Sequence, residues 1–139
     1  MAKVVNLFRA PKRRAAMEEL RQARVVENAG LDGGAHARLG GKRQVLLIDI
    51  ETLRSFDLAP GMVRENITTE GLEVNALKAG QKLRMGEVEL EVSLVCEPCD
   101  QIEALRAGLQ EEMIGRRGML CRVLRGGTVK QGDPIALQG

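Results

Sequence analysis

The clearest alternation in the chain runs through Glu87-Val88-Glu89-Leu90-Glu91-Val92-Ser93-Leu94. Apolar residues at every second position put one face in a core and the other in water, which predicts a strand over residues 88–95. Met85-Gly86 separates it from residues 80–84, and the two segments read as a hairpin. Residues 119–125 alternate again, with Cys121 in register with Met119 and Val123. Shorter strands are predicted over residues 3–8, 24–27 and, beyond the Gly126-Gly127 turn, 133–137. Val45-Leu46-Leu47-Ile48 is apolar without a break, the pattern of a strand buried on both faces.

Helical patterns are few. Asp49 can cap a short helix whose Ile50, Leu53 and Phe56 face inward. Asp100-Gln101-Ile102-Glu103 has the spacing of a capping box with Asp100 as N-cap. Ile102, Leu105, Leu109 and Met113 then make one apolar stripe, which predicts a single helix. Residues 10–20 are basic and read as helical or irregular. Residues 29–42 form a loop with several glycines that carries His36. Pro60-Gly61 is a turn pair. Residues 62–72 have polar side chains where a periodic element would have apolar ones. Many short strands between glycine turns, with few helices, predict a mainly β fold closed into a barrel. At 139 residues, without repeats or an internal boundary, the chain reads as one domain over 1–139.

Composition removes several classes. No apolar run approaches the length of a membrane span, and Val4-Val5-Asn6-Leu7-Phe8 is too short for a signal-peptide core, so no membrane association and a cytoplasmic location are expected. Three cysteines, an odd number, argue against a disulfide scaffold. There is no Gly-x-Ser-x-Gly elbow, no GxGxxG and no Walker motif, so hydrolase and nucleotide readings lack support. The net charge is only +2 but is unevenly spread. Arg116, Arg117, Arg122, Arg125 and Lys130 follow Met113 against Asp133 alone, and Arg9, Lys12, Arg13 and Arg14 form a second cluster. With no Trp, no Tyr and two Phe, base stacking has little to work with. No nucleic acid is expected; a small phosphorylated ligand suits the patches better.

Cys99 carries the sharpest chemical expectation. It follows a predicted strand and directly precedes a predicted helix, where the helix dipole and unpaired backbone N–H groups favour thiolate over thiol. Cys96, by contrast, continues the strand's apolar face and reads as a packing residue, as does Cys121. Two alternatives use Cys96-x-x-Cys99: a structural zinc site completed by Cys121 and His36, or a thiol-disulfide redox pair. The zinc reading lacks a second close-spaced ligand pair, and the redox reading lacks a βαβ pattern.

Three segments together resemble the MOSC family, the domain found at the C-terminus of molybdenum cofactor sulfurases and also as small free-standing proteins. The first is Gly30-Leu31-Asp32-Gly33-Gly34-Ala35-His36-Ala37 with Arg43-Gln44-Val45-Leu46-Leu47-Ile48. The second, the most distinctive, runs from Pro60-Gly61 through Arg64-Glu65-Asn66-Ile67-Thr68-Thr69-Glu70-Gly71-Leu72. The third is Pro98-Cys99, Gly115-Arg116-Arg117-Gly118 and Gly132-Asp133. Gly34 stands where the family usually has an acidic residue.

The resemblance implies a closed β-barrel of the pyruvate-kinase-barrel type. It implies binding of molybdenum cofactor (molybdopterin) or carriage of sulfur for it, with Cys99 as persulfide carrier or as molybdenum ligand. Arg64, Asn66, Thr68, Arg116 and Arg117 are then expected to line an anionic pocket for the cofactor's phosphate and pterin edge, with His36 a further candidate. Asn66 and Thr68 can equally serve to hold the loop backbone. The expected partners are the cofactor or another sulfur-accepting ligand, with a cysteine desulfurase as sulfur donor or an electron-donor protein. The chain has no room for the pyridoxal-phosphate domain of larger family members. Some family proteins reduce N-hydroxylated compounds, so a reductase component, a sulfurtransferase and a non-enzymatic carrier all fit the sequence.

Overall fold

The computed structural model describes residues 2–13, 15–34 and 39–138. Its larger sheet has eight strands in the order β11-β7-β8-β9-β5-β6-β1-β2. These are β1 (Lys3–Arg9), β2 (Glu18–Leu20), β5 (Val45–Asp49), β6 (Ile67–Glu70), β7 (Lys82–Met85), β8 (Val88–Val95), β9 (Met119–Arg125) and β11 (Ile135–Gln138). A second sheet joins β10 (Gly127–Lys130), β3 (Gln22–Val26) and β4 (Gly30–Leu31).

The expected closed barrel is not what forms. The large sheet ends on β11 at one edge and on β2 at the other, and neither sheet is closed. One isolated bridge, Lys3 to Pro134, and a few backbone bonds such as Val4 N–H to Asp133 O draw the start of β1 toward the start of β11. They do not extend into a ladder, and the eight-stranded sheet keeps β11 and β2 as its edges. The remainder of the fold class stands: mainly β, with three short helices among the described residues.

The apolar run of β5 explains how the layers stack. Val45 and Leu47 enter the main core together with Val4, Leu7, Ile67, Leu83, Leu90 and Cys121. Leu46 and Ile48 point the other way. Ile48 joins Leu53, Phe56, Leu58, Val63, Ile102, Leu109 and Met113, which seats the helices against the outside of the sheet. Leu46 meets Leu120 and Cys96 in a small third cluster. Each fully buried aliphatic side chain here stabilises the fold by about 1.5–3 kcal/mol.

Helix α1 (Ile50–Ser55) forms as predicted, with Asp49 Oδ2 accepting the Thr52 N–H at 3.0 Å. The helix expected after Cys99 is broken into α2 (Asp100–Glu103) and α3 (Leu109–Glu112). Its capping box is absent: Cys99, not Asp100, is the N-cap residue. Glu103 reaches forward instead of back, accepting the Gly108 and Gln110 N–H groups at 2.8 and 3.1 Å. Those bonds hold its carboxyl below the usual carboxylate range. Ile102, Leu109 and Met113 are buried as the stripe requires, whereas Leu105 is exposed.

Residues 62–72 hide a strand. β6 runs parallel to β5 and antiparallel to β1, with Ile67, Thr68 and Thr69 all buried. Buried threonines conceal it from any count of apolar periodicity.

Candidate functional site: a guanidinium-lined cleft

The segment before β6 is built by its own polar side chains. Arg64 takes a left-handed backbone (φ +62°). Glu65 is fully buried, its Oε2 accepting the Gly61 N–H at 2.8 Å and the Thr68 hydroxyl at 2.6 Å. Asn66 bridges two strands: its Oδ1 accepts the Leu46 N–H at 2.9 Å and its Nδ2 donates to Phe8 O at 3.2 Å. Asn66 and Thr68 thus both hold backbone and loop in place. Arg64 Nη1 donates to Ala15 O at 2.7 Å, and its Nη2 is buried without a partner.

Arg64 lines a cleft of about 210 Å³ together with Arg43, Gln44, Asn66, Cys96 and Arg117. Leu46 and Leu120 also line it, so it sits on the outer face of β5 and β9. Three arginines and no carboxylate line it among the described residues. Arg117 is only 5% exposed, yet its Nε and Nη1 make no hydrogen bond. A buried, unpaired guanidinium is costly, and such groups are ordinarily paired. The cleft therefore carries guanidinium charge with unused donors, which is the chemistry that recognises phosphate or carboxylate.

The expected arginine pair diverges. Arg116 points away from the cleft, its guanidinium 4.9 Å from the centre of the Phe56 ring and its Nη2 3.3 Å from the Ser55 hydroxyl. Thr68 is fully buried and does not line the cleft. His36 lies outside the described residues. Arg43 and Cys96 join the cleft unforeseen; Arg43 directly precedes Gln44 and β5 in the stretch already singled out.

Cys99 is half-buried and is not among the cleft-lining residues, although Cys96 and Gln101 on either side of it are. Its helix, α2, spans four residues. The dipole expected to favour its thiolate is correspondingly small, because that dipole sums over aligned peptides. Cys96 is buried and packs with Leu46 and Leu120 as expected, but it also forms part of the cleft wall. Burial pushes its thiol pKa up, while the charges of Arg117 and Arg43 oppose that rise. Cys121 lies in the main core, and burial pushes its thiol up to about 12. All three cysteines are free thiols. Among the described residues no group of three or more His, Cys, Asp or Glu side chains is arranged to hold a metal ion, so the zinc alternative finds no ligand set there.

Gly34, where an acidic residue is usual, sits in a tight turn: a Cβ there would approach Leu31 O to 3.1 Å. No helix of the described residues is long and apolar enough to cross a membrane.

This fold matches known proteins. The chain belongs to the MOSC domain family, whose model matches residues 34–136. Among solved structures it resembles the YuaD protein from Bacillus subtilis, with a TM-score of 0.84 and 19% identity over 99% of this chain and 96% of that one. YiiM from Geobacillus stearothermophilus superposes with a TM-score of 0.83 and 17% identity, over 100% of this chain and 76% of that one. YiiM from Escherichia coli gives 0.72 and 22%, over 99% and 70%. At these identities the likeness shows the fold alone. No curated protein matches the chain.

Proposed function

We propose that this protein binds molybdenum cofactor by its phosphate end in the Arg43–Arg64–Arg117 cleft and uses the Cys99 thiol for sulfur carriage. The observation that carries the reading is the pair of unpartnered donors on buried Arg117, joined by the orphaned Nη2 of Arg64. A phosphate monoester offers several acceptor oxygens and up to two negative charges, which suits a cleft lined by three arginines. The cleft is smaller than the roughly 300–1,000 Å³ usual for small-molecule sites. It suits the phosphate end of a larger ligand whose remainder would lie outside the cleft, on the side of Gln101.

The cofactor, when bound, supplies a molybdenum centre held by a pterin dithiolene. The chain's own residues do the rest. Arg117 and Arg64 would hold the phosphate against a wall that includes Leu46 and Leu120, and Cys99, two residues from the lining Gln101, would offer a soft sulfur nucleophile. A sulfur-donor protein such as a cysteine desulfurase is the partner that this chemistry calls for, with an electron-donor protein the counterpart if bound cofactor turns over as a reductase.

The test is expression in a host that makes molybdenum cofactor, followed by molybdenum analysis and by fluorescence of the oxidised pterin released from the protein. Wild type should carry both, and Arg64→Ala should carry much less of each. Equal cofactor content in wild type and Arg64→Ala, or none in wild type, would overturn the assignment.

A further inference from the structure

Cys96 and Cys99 differ in what they face. Cys99 is half-buried beside an exposed Glu97 and Asp100, within reach of a donor from solvent. Cys96 is 8% exposed and lies on the cleft wall beside Arg43 and Arg117. Only Glu97 and Pro98 separate them. The Cys96 N–H donates to Gly118 O at 3.0 Å, and the Cys99 carbonyl accepts the Ile102 N–H at 3.0 Å.

We propose that Cys96 is a second functional thiol, taking sulfane sulfur from Cys99 and presenting it inside the arginine cleft. This rests on the reading of Cys99 as a sulfur carrier. In the loading step the Cys99 thiolate attacks the terminal sulfur of an alkyl persulfide, R–S–SH. The donor's S–S bond breaks, R–S⁻ leaves, and Cys99–S–SH forms. In the relay step the Cys96 thiolate attacks that same terminal sulfur. The Cys99 S–S bond breaks, Cys96–S–SH forms, and Cys99 departs as thiolate. One S–S bond replaces another in each step, so no oxidant or reductant is required.

The direction follows from the surroundings. Burial shields Cys96 from bulky donors and raises its thiol pKa, so a donor from solvent meets Cys99 first. A perthiol ionises more readily than a thiol. Once on Cys96, its negative charge lies among guanidinium groups whose donors are otherwise unpaired. Sulfur is thereby carried from the half-buried Cys99 onto the cleft wall beside Arg43 and Arg117.

The experiment uses glutathione persulfide with wild type, Cys99→Ser, Cys96→Ser and Cys96→Ala, followed by alkylation and fragment-level mass spectrometry of the 96–99 peptide. In wild type, added sulfur should appear on Cys99 and then accumulate on Cys96. In Cys99→Ser, whose substituted side chain is half-exposed and makes no hydrogen bond, Cys96 loading should slow by about tenfold or more. In the Cys96 variants sulfur should remain on Cys99. Cys96 loading at the wild-type rate in Cys99→Ser would overturn the relay. So would stable loading of Cys99 alone in wild type, which leaves the carrier reading standing. Loading of neither cysteine would overturn both.

Discussion

The Gly118 carbonyl accepts the Cys96 N–H at 3.0 Å, and this bond fixes the cysteine beside the residue that precedes Gly118, the buried Arg117. Gly118 also donates its own N–H to Asn75 Oδ1 at 2.9 Å and accepts from Asn75 Nδ2 at 3.2 Å. Its φ is +101°, and a Cβ there would collide with Leu47 O. Only glycine meets both demands.

Gly118→Ala should therefore cost on the order of 3 kcal/mol or more, combining left-handed strain with displacement of β5 backbone. Urea denaturation of the two proteins measures it directly. A loss below about 1 kcal/mol would mean that β9 shifts freely at its start.

The arginine in the cleft behaves oppositely. Arg117→Met keeps the aliphatic volume and removes a buried charge with unpaired donors. Replacing even a buried ion pair by apolar residues of similar volume is often neutral or stabilising by about 1–4 kcal/mol, and an unpaired charge has less attraction to lose. The melting temperature of Arg117→Met in phosphate-free buffer should equal or exceed that of wild type. A marked fall would mean that Arg117 has a partner that holds the fold.

The thiols should alkylate in a fixed order at pH 8: Cys99 first, Cys96 slowly, and Cys121 only after unfolding. Cys99 is half-buried, Cys96 is buried with its thiol pKa raised, and Cys121 is pushed up to about 12 in the core. Peptide-resolved iodoacetamide kinetics give the order. Cys96 reacting before Cys99 would reverse the proposed direction of sulfur flow.

At acid pH the α2–α3 junction should loosen before the sheet does. Glu103 is held below its ordinary pKa by the Gly108 and Gln110 N–H groups. A carboxyl lowered on folding stabilises the fold above its unfolded pKa, and that contribution is lost as pH falls through the folded one. Hydrogen exchange at the Gly108 and Gln110 amides, corrected for intrinsic rate, should quicken across that window in wild type and be already fast and pH-insensitive in Glu103→Gln.

Most strands could be read in advance because one face of each meets the core. β8, β9 and the doubly buried β5 follow their apolar patterns, and α1 its Asp49 cap. What the pattern missed has physical causes. β6 is buried through threonines, so it carries no apolar period. The long helix fails because Glu103 bonds forward to Gly108, whose φ of +88° breaks the run. The barrel fails because nearest-neighbour strand patterns do not say whether the two edges pair. The site was legible in type more than in membership. Arg64 and Arg117 were expected and meet in one cleft, but Arg116 swings onto Phe56, a divergence that adjacency in sequence hides. Cys96 read as packing from its register; alternation identifies the buried face of a strand, not a cleft that opens beside its end.

The most direct test of the cleft is isothermal titration of purified protein with a simple phosphate monoester, wild type against Arg117→Met at fixed ionic strength. Wild type should bind saturably at one site per chain. The variant should bind about tenfold to a hundredfold more weakly, the equivalent of losing one or two charge-assisted hydrogen bonds. Equal affinity in the two proteins, or no binding by wild type, would contradict a phosphate-holding role for Arg117 and with it the cofactor-binding function proposed for this cleft.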